Sequence, residues 1–253
     1  IFNNEESAMK KVAVILSGCG VFDGAEIHEA VISLLALARQ GASVQCFAPN
    51  VPQLHVINHL TGEVSEGESR NVLVEAARIC RGQIRDVAEL DAADFDALLV
   101  PGGFGAAKNL CDFAECRIQP DVLKACQSFA RAGKPAAYIC IAPAMIPLIY
   151  GAGTLATIGN DEGAANAIEA MGGSHLDCPV SEFVVDRLEI GRLRIDGLGV
   201  QVVEVVERDL RPGFGRSQHH RSVGLVGIRA DQVEDFREIG LDEIRAAGYL
   251  VVG

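Results

Sequence analysis

Positive charge is in short supply in this chain. Against 34 acidic residues stand 22 basic ones, giving a formal net charge of −12 over 253 residues. A nucleic-acid partner is excluded on that ground, because phosphate binding needs a basic face. Long apolar runs are missing as well. None approaches the roughly 20 residues that cross a bilayer, so no membrane partner is expected. The opening IFNNEESAMKK lacks the apolar core of a secretory signal. Met9 reads as the natural start, and residues 1–9 as an extension. The eight cysteines (Cys19, Cys46, Cys80, Cys111, Cys116, Cys126, Cys140 and Cys178) include no CxxC pair and no zinc-ligand spacing. They read as free thiols in a reducing, cytoplasmic setting, and no metal site is expected. His55, His59 and the pair His219–His220 lack the carboxylate or thiol spacing that would complete one.

What is there is ordinary globular chemistry, 49% hydrophobic and 22% charged, enough for one large α/β domain or two small ones. The run Lys11–Ser17 (KVAVILS) is β-branched and ends in Gly-Cys-Gly, as a buried parallel strand does. From Ala25 to Gln40 apolar residues recur at helical spacing until Gly41 stops the helix. Ser43–Ala48 is a second strand closed by Pro49, which makes a right-handed β-α-β unit. Residues 56–67 hold turn residues and fit a small hairpin. Helices are expected over 71–79, 119–132 and 164–171, and strands over 96–101, 136–140, 154–158 and 182–185. This alternation implies a three-layer, doubly wound, mostly parallel α/β sheet of the flavodoxin-like kind, with ligands at the strands' carboxyl ends.

Composition changes near Arg187. All five lysines lie before it, and from there on the charges nearly balance. Residues 10–186 read as the α/β domain. Residues 187–253 read as an atypical C-terminal tail that completes the domain or is appended to it, with a basic patch at 213–221 and a helix near 231–247.

Cys140 stands where the strand 136–140 ends, followed by Ile141-Ala-Pro-Ala-Met145. A residue on such a turn points out over the sheet, and a following helix aims its positive end at it. For a thiol this favours the nucleophilic thiolate. Taken alone, a buried core cysteine is the commoner reading. The loop Pro101-Gly-Gly-Phe-Gly105 also follows a strand, and its glycines can turn backbone amides toward an oxyanion. Glu26 and Glu29 open the first helix three residues apart, where a carboxyl could shuttle a proton for Cys140.

These pieces together resemble the ThiJ/PfpI superfamily, whose fold is shared with class I glutamine amidotransferases. The stretches SGCGVFDGAEIHEA (17–30), INHLTG (57–62), ESRNVL (68–73), PGGFGAAKNL (101–110) and CIAPAM (140–145) are similar to its ElbB branch. That branch is known as isoprenoid biosynthesis glyoxalase or enhancing lycopene biosynthesis protein. The resemblance implies that Cys140 is the elbow nucleophile, Glu29 the superfamily glutamate and Glu26 a second candidate. It places Gly102, Gly103 and Ile141 at the oxyanion and substrate-binding loop. It further implies weak, glutathione-independent conversion of small α-oxoaldehydes, methylglyoxal to lactate, without metal or organic cofactor, in a homodimer.

Two departures stand beside it. No histidine follows the nucleophile closely, and His175, expected at the surface, is the nearest later one. The missing His–Glu pair argues against releasing ammonia from glutamine. Beyond Asp186 the chain leaves the branch's pattern, as a shifted reading frame or a divergent terminus would make it do. The alternative function is a non-enzymatic stress or regulatory protein in which Cys140 senses oxidants. A scaffold acting on isoprenoid metabolism is a third reading.

Overall fold

The computed structural model describes residues 9–186 apart from 114, 160, 180–183 and 185. The expected strand at 182–185, apart from Val184, the helix near 231–247 and the whole tail 187–253 lie outside the described residues. Elements in chain order are β1 (Lys11–Ile15), α1 (Ile27–Arg39), β2 (Ser43–Ala48), the hairpin of β3 (Ile57–Asn58) and β4 (Glu63–Val64), and α2 (Val72–Ala76). Next come β5 (Ile84–Asp86), β6 (Ala97–Val100), the hairpin of β7 (Cys111–Asp112) and β8 (Arg117–Ile118), and α3 (Pro120–Arg131). The remainder is β9 (Ala136–Tyr138), α4 (Ile146–Tyr150), β10 (Leu155–Ala156), α5 (Glu162–Ala170) and β11 (Ser174–His175).

Five strands form the central sheet in the order β5-β2-β1-β6-β9, every neighbouring pair parallel. Side chains alternate between its faces, and both faces are apolar, which is why β1 reads as an unbroken hydrophobic run. Val12, Val14 and Leu16 enter one cluster with Ala30 and Leu34 of α1 and Val72 and Ala76 of α2. Ala13 and Ile15 enter the other with Val122, Cys126 and Phe129 of α3, Ile146 and Ile149 of α4, and Ile168 of α5. The layers are therefore helix, sheet, helix, as the flavodoxin-like reading requires. The chain winds from β1 outward to β2 and from β6 outward to β9. The winding reverses between β1 and β6, and the crevice at such a reversal is where doubly wound sheets take ligands.

Beyond elements the sequence did not announce, such as the edge strand β5, two expected elements take another form. The segment 154–158 does not join the central sheet. Its β10 pairs in parallel with β11 across α5, a separate two-stranded unit, and the ladder it could have offered β9 is spent there. The helix expected over 71–79 stops at Ala76. Beyond it Arg81 and Gly82 take φ of 55° and 83°, a left-handed turn that no helix continues through.

Candidate active site

Three strand ends build the site. After β9 the chain reaches Cys140, whose φ of 58° is left-handed. A non-glycine residue there costs roughly 1–3 kcal/mol and persists only where surrounding structure enforces it. The strained strand-to-turn position is the geometry of a nucleophile elbow. Beyond it runs a 3₁₀ turn, Ala142–Met145, and then the five residues of α4. Pro143 sits in the first turn, where a missing N–H costs nothing.

The end of β6 supplies Gly102 and Gly103. A Cβ on Gly102 would stand 2.4 Å from Cβ of Cys140 and 2.8 Å from Oε2 of Glu29, so only glycine lets the three come together. The Gly102 amide donates to Glu29 Oε2 at 2.9 Å. This corrects the role expected for Gly102: its N–H is spent on the carboxyl and not free for an oxyanion. Gly103, at φ 89°, turns its amide to the sulfur of Cys140, as Ile141 does.

From the end of β1 comes the loop 17–26. Glu26 is the N-cap of α1, at φ −64° and ψ 119°, and so lies outside the helical turn that was expected to align it with Glu29. Its Oε2 accepts the Glu29 amide at 2.7 Å and its Oε1 faces His28 Nδ1 at 2.9 Å. Its own amide donates to the Gly102 carbonyl at 3.0 Å. Glu26 thus fixes the start of α1 against the glycine loop, and Glu29 is the carboxyl that reaches the thiol, sharing a hydrogen bond with Cys140.

Electrostatics reverse one expectation. Burial pushes the Cys140 thiol up to about 12, and the neighbouring Glu29 charge adds to this. The Gly103 and Ile141 amides pull the other way without prevailing. A following helix of only five residues gives the dipole little length with which to offset that. Glu29 is raised to about 8, first by burial; the Gly102 amide opposes this, and the Glu26 charge adds to the rise. At neutral pH the resting pair is therefore mostly protonated on both groups, and the group poised near working pH is the carboxyl.

Sequence reasoning missed the braces around this pair. Asn109 Nδ2 donates to the carbonyls of Ser17 and Asp23, both at 2.8 Å, and its Oδ1 accepts the Leu54 amide at 3.0 Å. Asp23, 2% exposed, accepts the Ile57 amide at 2.7 Å. His59 Nε2 accepts the Phe22 amide at 3.2 Å, while Nδ1 faces the Ile57 carbonyl at 3.1 Å. His59 is a structural residue holding loop 17–26. His175 is not at the surface: its side chain is 5% exposed, and its Nε2 accepts the Ile158 amide at 3.4 Å. Among the described residues no group of three or more His, Cys, Asp or Glu could hold a metal ion, and no helix is long and apolar enough to cross a membrane.

Residues 10–152 match the model of the DJ-1/PfpI family. The chain belongs to the DJ-1/PfpI family. Glutamine amidotransferase-like class 1 domain-containing protein 3, mitochondrial, of Homo sapiens is 49% identical over 190 residues, covering 70% of each chain. The mitochondrial ES1 protein homolog of Rattus norvegicus is 43% identical over 223 residues, 78% of this chain and 83% of its own. Among solved structures, an isoprenoid biosynthesis protein with an amidotransferase-like domain from Ehrlichia chaffeensis superposes with a TM-score of 0.65. It is 42% identical and covers 69% of this chain and 82% of its own.

Proposed function

We propose that this family member is a cofactor-free, cysteine-dependent enzyme converting small α-oxoaldehydes to 2-hydroxy acids, methylglyoxal to lactate, without glutathione. The observation that carries the reading is the left-handed Cys140 hydrogen-bonded to Glu29 between the Gly103 and Ile141 amides. Glu29 in its carboxylate form takes the thiol proton as Sγ adds to the aldehyde carbon, and the hemithioacetal oxygen receives that proton. Glu29 then removes the C1 hydrogen, giving an enediol, and returns it to C2, leaving a thioester. Water cleaves the thioester, so the balance is one aldehyde and one water in, one hydroxy acid out, with the thiol regenerated. The two amides that face sulfur stand where an oxygen on the sulfur-bound carbon gains stabilisation.

A base at about 8 and a thiol at about 12 suit a slow enzyme, because little of the pair is in its reactive form at pH 7. The name of the Ehrlichia chaffeensis protein supports a link to isoprenoid biosynthesis. The reduced thiols fit a reducing compartment, the cytoplasm. The mitochondrial names of the relatives set the organelle as the outcome that fractionation would test. A homodimer is supported by α1, which exposes Ile27, Val31 and Leu35 at 42%, 45% and 39% in one stripe at helical spacing.

The test is lactate formation from methylglyoxal by purified protein. Turnover that Cys140→Ala abolishes supports the reading. Equal rates in the two proteins overturn it.

A further inference from the structure

We propose that Cys80 and Cys46 form a second, redox-active site, in which peroxide oxidises Cys80 and Cys46 then closes a disulfide with it. The two lie on different elements brought together by the fold. Cys46 is on β2, 3% exposed in the cluster shared with α1 and α2, and Cys80 packs half-buried against that same cluster. Their sulfurs share a hydrogen bond. Cys80 is held in place from both sides: its Sγ donates to the Ala76 carbonyl at 3.5 Å. The left-handed Arg81 and Gly82 then turn the chain back toward β5, which pairs with β2 at Cys46↔Ile84.

The partners divide the work by exposure. Cys80 reaches solvent, and Cys46 does not. The hydrogen bond from Cys46 also holds the Cys80 thiol below its ordinary range. The same bond, together with burial, pushes Cys46 well up. An accessible thiol that ionises more readily than usual, beside a resolving thiol, is the arrangement that favours reversible oxidation. The Cys80 thiolate attacks one peroxide oxygen, the O–O bond breaks, and hydroxide leaves as water after taking a proton. The sulfenic acid formed is then attacked at sulfur by Cys46. The S–S bond forms, the S–O bond breaks, and the oxygen departs as a second water carrying the Cys46 proton. One peroxide is reduced and two thiols are oxidised.

This site is independent of Cys140, which the chemistry above uses. The experiment treats the full chain with equimolar hydrogen peroxide, alkylates the remaining thiols, digests with trypsin without reductant and reads peptide masses. Trypsin leaves Cys46 alone in the peptide 40–70 and Cys80 alone in 79–81. The expected product is those two peptides joined, short of two hydrogens and separated by dithiothreitol, in Cys140→Ala as in the unaltered chain. In Cys46→Ser the junction disappears and dimedone labels Cys80. Because serine at a buried strand position can unfold β2, Cys80→Ser, at the half-exposed position, serves as the second variant. It is expected to leave Cys46 reduced. Recovery of both peptides alkylated while Cys116 or Cys140 takes up oxygen would overturn the proposal, as would oxidation of Cys46 in Cys80→Ser.

Discussion

Cys140 and Cys80 each share a hydrogen bond with one ionisable neighbour, yet their environments push them in opposite directions. Cys140 faces a carboxyl, Glu29, and lies deep enough that burial dominates; its thiol rises to about 12. Cys80 faces a thiol that donates to it and is itself half-exposed; its thiol falls. Placement at a strand end therefore does not fix thiol reactivity. Whether the neighbour donates a hydrogen bond or brings a negative charge, and how much water burial removes, decide it. Under the two proposed roles, Cys140 waits protonated for a substrate and a base, while Cys80 is the thiol that meets oxidants.

The sharpest break of this comparison is a pair of alanine variants. Cys140→Ala is expected to lower lactate formation by about 10³-fold or to the background rate. Cys80→Ala is expected to leave it within about two-fold; equal losses would erase the distinction. Next in size, Glu29→Gln keeps the shape but removes the base, and the rate of lactate formation is expected to fall by roughly 10²–10⁴-fold. A third variant separates the pair by force. Gly102→Ala brings a methyl within 2.4 Å of Cys140 Cβ, and chemical denaturation is expected to show a loss of about 1–3 kcal/mol.

Stability against pH sharpens the same contrast. Glu29 titrates near 8 when folded, above its ordinary 4.5. Between those values the folded chain holds a proton that the unfolded chain has released, so stability falls as pH rises across that window. The contribution is complete below about 4.5 and gone above about 8. At about 1.4 kcal/mol per pH unit it amounts to roughly 4–5 kcal/mol. Denaturant melts of Glu29→Gln are expected to lack this slope; an unchanged slope would place the titration elsewhere. The two thiols also separate by alkylation: iodoacetamide at pH 7 should mark Cys80 at least about 10-fold faster than Cys140.

Much of the fold was legible because its signals are local. The β-branched run after Lys11 is a strand buried on both faces, Pro49 closes β2, and Gly41 ends α1 at φ 71°. Cys140, Glu29 and the glycine loop could be picked out because a strand end followed by small residues is a sequence-local pattern. The rest depended on pairings far apart in the chain. That Gly102 gives its amide to Glu29, 73 residues away, decides which glycine can hold an oxyanion. That Glu26 is a cap rather than a helical residue turns on one ψ angle. The neighbouring of Cys46 and Cys80 needs α2 folded onto β2. The rise of Cys140 needs knowledge of burial, which the dipole argument from sequence does not contain.

The central claim is that Glu29, not an ionised Cys140, sets the reactive state of the site. The pH profile of methylglyoxal conversion tests it most directly, measured on the unaltered chain and on Glu29→Gln. The account predicts a rate that climbs from pH 6 to an inflection near 8 in the unaltered chain and no such inflection in the variant. A rate already at its plateau at pH 6, in both proteins alike, would contradict it.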